Sequence, residues 1–124
     1  MTNKIMIIDD NETNVKFLNL ALTKAGFKTD AILNPKFAFD VIKESKPFMI
    51  LLDINMPVMD GMETVKAIRG LEDKEKSQVP VVAITGNARN YTEEEFKDAG
   101  FNDVLMKPLN FDRLVMLVKD LTQK

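Results

Sequence analysis

The sequence predicts an α/β domain: a parallel, doubly wound sheet with helices on both faces. Three observations carry that prediction. Short apolar runs alternate five times with amphipathic stretches along 124 residues. Most of the runs are apolar throughout rather than at every second position, as strands are when helices cover both faces. No Pro/Gly/Ser-rich linker or internal repeat divides the chain, so its length fits one domain spanning 1–124.

The runs are Lys4–Ile8, Lys28–Ile32, Phe48–Leu52, Pro80–Ile84 and Asn102–Met106. The first helix follows Asn11, an N-cap type, and puts Val15, Leu18, Leu22 and Ala25 on one face. Gly26 stands where a left-handed C-terminal residue belongs. A second helix runs from about Pro35 to Ser45 and stops before Pro47. The third opens near Gly61 and carries Val65 and Ile68; the polar tract after it, Glu72 to Gln78, reads as a solvated loop. Thr92 followed by Glu93, Glu94 and Glu95 is a capping box, and that helix ends at Gly100. The last helix starts after Asn110, with Phe111, Leu114, Val118 and Leu121 on one face. Right-handed crossovers distribute such helices over both sides of the sheet.

Composition excludes several chemistries. There is no Cys and no His, hence no disulfide, no thiolate or imidazole metal site, and no Cys-His or Ser-His-Asp nucleophile. The chain cannot carry a phosphohistidine of its own. Seventeen Lys+Arg against 19 Asp+Glu give a net charge of −2, with no basic excess to attract DNA or an anionic membrane. The apolar run Ile5 to Ile8 is too short for a signal peptide, and no run approaches the ~18 apolar residues of a membrane span. These features point to a cytoplasmic protein.

Ligands of such sheets bind beyond the carboxyl ends of the strands. There the chain places Asp9 and Asp10 after the first run, Asp53 after the third, Thr85 and Gly86 after the fourth, and Lys107 and Pro108 after the fifth. Each alone reads as a cap, a turn residue or a solvated lysine. Together they put three carboxylates, a hydroxyl and an ammonium on one edge. Three neighbouring carboxylates repel one another unless a cation binds, and Mg²⁺ suits one or two carboxylates with waters and a phosphate. Lys107 and Thr85 suit an arriving anion. The arrangement fits a carboxylate that accepts a phosphoryl group.

At these residues the sequence resembles the receiver domain of two-component response regulators. The resemblance covers essentially the whole chain and rests on IMIIDDNETN, LLDINMPVMDG, VVAITGNA and FNDVLMKPL. Parts of it also resemble receivers of hybrid histidine kinases. It implies a flavodoxin-like (βα)5 fold with strand order 2-1-3-4-5. It implies phosphorylation at Asp53, with Mg²⁺ held by Asp9, Asp10, Asp53 and the backbone carbonyl of Asn55. Lys107 and Thr85 would bind the phosphoryl group, Pro57 and Gly61 would shape the loop after Asp53, and the Lys107–Pro108 bond would be cis. Asn55 and Asn87 occupy the positions that tune acyl-phosphate lifetime in the family. Members usually carry Tyr or Phe three residues before the lysine. Here that residue is Val104, which has no ring to reorient. Activation then passes through the segment from Gly86 to Tyr91, or the response is muted.

The resulting expectation is a stand-alone receiver. It takes a phosphoryl group from a histidine kinase or histidine phosphotransfer protein and acts on a downstream protein through changed protein contacts, or relays the phosphate, with no DNA or membrane partner. It catalyses only its own phosphorylation and dephosphorylation. A haloacid-dehalogenase-type phosphatase needs a second Asp two residues after the first, where this chain has Asn55. A phosphorylation-independent binding module is favoured only by Val104. Tyr91 reads equally as packing or as a switch residue. Met6, Met49, Met106, Phe17, Phe39 and Phe48 are expected in the core, and Met56, Met59 and Met62 around the Asp53 loop as part of a docking surface.

Overall fold

The computed structural model describes residues 4–34, 37–44, 47–55, 61–86 and 91–122. Its elements run β1 (Lys4–Ile8), α1 (Glu12–Lys24), β2 (Lys28–Ile32), α2 (Ala38–Glu44), β3 (Met49–Asp53), α3 (Gly61–Arg69), α4 (Lys74–Ser77), β4 (Val81–Thr85), α5 (Glu93–Ala99), β5 (Asp103–Met106) and α6 (Phe111–Thr122). The five strands form one sheet in the order β2-β1-β3-β4-β5, and every pairing is parallel. This is the predicted doubly wound order.

Alternation along the strands sorts the core into two layers. Met6, Ile8, Ile50, Leu52, Val81 and Ala83 pack with Ile42 of α2, Met62, Val65 and Ile68 of α3, and Phe96 and Ala99 of α5. Ile5, Ile7, Met49, Leu51, Val82, Ile84 and Leu105 face the other way, onto Leu18, Ala21 and Leu22 of α1 and Leu114, Leu117 and Val118 of α6. β3 and β4 are buried along their whole length, which explains their unbroken apolar sequences. Each such Ile or Leu contributes roughly 1.5–3 kcal/mol by leaving water.

The helix signals are realised at the atoms. The Asn11 side chain accepts from Thr13 and Asn14 N–H at 2.9 and 3.1 Å. Thr92 and Glu95 close the capping box, each side chain accepting the other's backbone N–H at 3.1 Å. Gly26 and Gly100 take positive φ, 95° and 119°.

Several expectations are corrected. The tract Glu72 to Gln78 is not all loop: Asp73 caps the one-turn α4, accepting from Glu75 N–H at 2.9 Å. Met62 is buried in the core rather than displayed, because α3 packs its first turn onto the sheet. Met106 is 46% exposed, since β5 is an edge strand. Phe111, expected on the buried face of α6, is 41% exposed, and Leu117, not among the residues expected there, is buried with Leu114 and Val118. The expected runs for β3, β4 and β5 start one residue early. Met56, Pro57, Met59, Asn87 and the helix ends at Pro35 and Ser45 lie outside the described residues, as does the Phe39 side chain. No helix among the described residues is long and apolar enough to cross a membrane.

Candidate functional site

Parallel pairing brings the ends of β1, β3, β4 and β5 to one edge of the sheet. Asp9 follows β1, and its N–H continues the ladder to β2 by donating to Ile32 O at 3.2 Å. Asp9 is fully buried. Its Oδ1 accepts from Asn11 N–H at 2.9 Å, while its buried Oδ2 has no hydrogen-bond partner among the described residues. Burial pushes the Asp9 carboxyl up to about 6. The charge of Asp53 adds to the rise, and the Asn11 N–H and Lys107 oppose it.

Asp53 ends β3 and is 3% exposed. Its two oxygens have separate partners. Oδ1 accepts from the backbone N–H of Asn55 at 2.8 Å. Oδ2 accepts from Lys107 Nζ at 3.0 Å. Asp10 is exposed, yet one oxygen from each of Asp9, Asp10 and Asp53 lies within 4.8 Å of the others. An all-oxygen donor set with one orphaned buried carboxylate oxygen fits a hard divalent cation.

The other wall comes from β4 and β5. Thr85, the last residue of β4, is fully buried. Its carbonyl accepts from Lys107 N–H at 2.9 Å, fixing the start of the lysine just beyond β5. The Lys107–Pro108 bond is cis, as expected. Gly61 opens α3 against Ile54. A Cβ there would stand 2.5 Å from Ile54 Cγ2 and 2.8 Å from its Cα, so only glycine permits this approach.

The residue range 5–119 matches the family model for the response regulator receiver domain. The chain belongs to the response regulator receiver family. This receiver is 31% identical over 119 residues to the polar-differentiation response regulator DivK of Brucella ovis, covering 96% of this chain and 95% of DivK. It is 36% identical over 112 residues to hybrid signal transduction histidine kinase I of Dictyostelium discoideum, covering 86% of this chain but 6% of that protein. Among solved structures, the receiver domain of sensor histidine kinase PA1611 from Pseudomonas aeruginosa superimposes with a TM-score of 0.87 at 26% identity, each chain covered in full. That structure has a magnesium ion coordinated in its active site cleft. The receiver of Saccharomyces cerevisiae Ssk1, solved in complex with the histidine phosphotransfer protein Ypd1, matches with a TM-score of 0.83 at 26% identity, covering 95% of this chain and 87% of that one. Receivers are phosphoryl-accepting signalling domains rather than enzymes acting on an external substrate.

Asp9, Asp10, Asp53, Asn55, Thr85 and Lys107 thus gather at one edge. Val104 stands apart: half-buried, it lines a groove of about 720 Å³ with Tyr91, Phe96, Phe101 and Met106. Tyr91 packs edge-on to Phe96 with ring centroids 5.6 Å apart. Sequence reading missed one contact at the site. The Asn55 side-chain Oδ1 accepts from Gly86 N–H at 3.0 Å. Asp53 pairs with Ile84, so residues two further along each strand meet, a register that sequence spacing alone hints at.

Proposed function

We propose that this receiver accepts a phosphoryl group on Asp53 from a phosphohistidine of a histidine kinase or histidine phosphotransfer protein. A carboxylate oxygen of Asp53 attacks phosphorus. The O–P bond forms, the N–P bond breaks, and its electron pair returns to the donor imidazole. The observation that carries this reading is the Asp53 carboxylate held between Lys107 Nζ at 3.0 Å and a buried, partly unsatisfied Asp9.

Asp9, Asp10, Asp53 and the Asn55 carbonyl would hold Mg²⁺. When bound, Mg²⁺ neutralises the carboxylates and offsets the charge of the phosphoryl oxygens. Lys107 turns from the Asp53 carboxylate to the phosphoryl oxygens, and the Thr85 hydroxyl donates to one of them. Water then hydrolyses the acyl phosphate, at a rate that Asn55 and, by resemblance to the family, Asn87 tune. The Ypd1 complex supports a phosphotransfer partner; the phosphorylated receiver then signals by changed protein contacts in the cytoplasm or relays the phosphate. A phosphatase acting on external esters needs an acid at position 55, and the Asn55 amide is occupied by Gly86.

The test is intact-protein mass after incubation with acetyl phosphate and, separately, with a phosphorylated histidine kinase. A Mg²⁺-dependent gain of one phosphoryl group, absent in Asp53→Asn, is expected. No adduct from either donor would overturn the reading.

A further inference from the structure

We propose that α5 is clamped at both ends, so that the groove between α5 and β5 keeps one shape whether or not Asp53 carries a phosphoryl group. The insulation from Asp53 rests on the phosphoryl-acceptor reading above; the clamp does not.

The helix Glu93–Ala99 is short, and one of this length does not hold itself in water. Its start is tied down twice. Thr92 and Glu95 close the capping box at 3.1 Å in each direction. Tyr91 precedes the cap, and its ring lies edge-on to Phe96 with centroids 5.6 Å apart. A side chain just before the cap that packs on the fourth helical residue is a hydrophobic staple, which fixes the angle at which the chain enters the helix.

The other end is tied as firmly. Gly100 N–H donates to Lys97 O at 3.0 Å, and Phe101 N–H donates to Phe96 O at 3.0 Å. Arg69 holds the Gly100 carbonyl from Nε at 2.9 Å and Nη2 at 2.7 Å. Phe101 also lies edge-on to Phe96, with centroids 5.8 Å apart. Buried Phe96 thus takes a ring from each end of its helix.

The same three rings line the groove, together with Val104 and Met106 of β5. The α5 wall is therefore the clamp itself, and β5 brings Val104, a β-branched side chain stiff at its first torsion. From Thr85 and Gly86 at the site, the chain reaches α5 at Tyr91. A shift of Thr85 toward a phosphoryl group meets the clamp there. To enter α5 it must undo the staple, about 2- to 10-fold in an opening equilibrium, and the capping box, about 2- to 30-fold. A ligand shifts an equilibrium only by its differential affinity for the two states, and these contacts oppose that shift. Tyr91 is a staple rather than a switch residue.

Two NMR measurements on the full chain test this. The first is amide exchange of Phe96 without ligand; its N–H donates to Thr92 O at 3.1 Å, beside the staple. Tyr91→Ala should raise the rate about 2- to 10-fold, and Tyr91→Phe, which keeps the ring, should leave it unchanged. An unchanged rate in Tyr91→Ala overturns the clamp. The second is the response to beryllofluoride, a tetrahedral phosphoryl mimic that does not turn over, in saturating Mg²⁺. In wild type the Phe96, Gly100 and Phe101 rates should change by less than about 2-fold, the smallest effect of one aromatic contact. In Tyr91→Ala the Phe96 rate should change by more than this. A merely structural Tyr91 would alter the ligand-free rate and leave both proteins with the same response to the mimic, and that result overturns the insulation. So does a larger change in wild type. Absence of a beryllofluoride adduct in wild type overturns the acceptor reading and the insulation with it, while the first measurement still decides the clamp.

Discussion

The guanidinium of Arg69 rests on the carbonyl oxygen of Gly100, with Nε at 2.9 Å and Nη2 at 2.7 Å. Its remaining donors reach Ser77 O at 2.9 Å, Val79 O at 2.6 Å and Asn102 Oδ1 at 2.7 Å. One planar fork therefore joins the ends of α3, α4 and α5 to the starts of β4 and β5. Burial lowers the proton affinity of this guanidinium, but arginine stays charged. Lysine supplies one compact ammonium and cannot span these acceptors. Arg69→Lys should destabilise the fold by about 1–3 kcal/mol and Arg69→Ala by about 2–4 kcal/mol in urea unfolding. A change under about 0.5 kcal/mol for Arg69→Ala, the range of ordinary surface substitutions, would refute the role given to the fork.

Gly100 serves the same junction from the other side. Its φ of 119° disfavours a side chain, and a Cβ would lie 2.9 Å from Arg69 Cγ. Gly100→Ala should cost about 1–3 kcal/mol. Combined with Arg69→Ala it should cost less than the sum, because one clash is removed; additivity in a double-mutant cycle would count against this contact.

Gly61→Ala introduces a Cβ within 3 Å of Ile54 backbone and side chain. Overpacking of this kind costs roughly 1–3 kcal/mol. Because Ile54 lies between Asp53 and Asn55, the same substitution should weaken Mg²⁺ binding several-fold in a fluorescence or calorimetric titration. Wild-type Mg²⁺ affinity in Gly61→Ala would show that the turn tolerates the shift.

The Asp9 carboxyl gives a pH dependence of definite sign. Its folded pKa of about 6 lies above the ordinary 3.8, so between those values the folded state binds the extra proton. Stability from this group is present at low pH and is lost as pH rises through about 6. In metal-free protein, Asp9→Asn should therefore gain on wild type by about 1–3 kcal/mol between pH 4 and pH 7. Added Mg²⁺ should stabilise wild type more at pH 7 than at pH 4.5. A constant difference between the two proteins across that range would contradict the assignment.

At the proposed Mg²⁺ site, Lys107 and the ion would compete for the negative charge of Asp53. Lys107→Met removes the ammonium 3.0 Å from Oδ2. Metal-free protein should lose about 1–3 kcal/mol, since Asp53 is left buried beside Asp9. Mg²⁺ affinity should rise about 3- to 30-fold, the effect of withdrawing one competing positive charge at this depth. Titration that finds Mg²⁺ binding weakened would mean that Lys107 orders the site more than it opposes the ion.

Much of this was legible because the information is local. Unbroken apolar runs mark β3 and β4, Asn11 and Thr92 mark helix starts, and acidic, hydroxyl and basic residues follow strands that a doubly wound sheet must bring together. What escaped is set by contacts distant in sequence. Arg69 reaches Gly100, 31 residues on, and nothing near either residue announces the meeting. The orphaned Oδ2 of Asp9 depends on how deeply its turn sinks. Met62 and Met106 have the same side chain, yet one is covered by the sheet and the other hangs from an edge strand. Periodicity assigns an element to a face but does not say what lies beyond the edge.

The ion pair between Lys107 and Asp53 has a geometric consequence. Asp53 closes the central strand, Lys107 follows the outermost one, and β4 runs between them. The bond is a strap thrown across an intervening strand, perpendicular to the chain's own direction. A single contact thus ties the middle of the sheet to its border, with a whole strand lying between its two anchors.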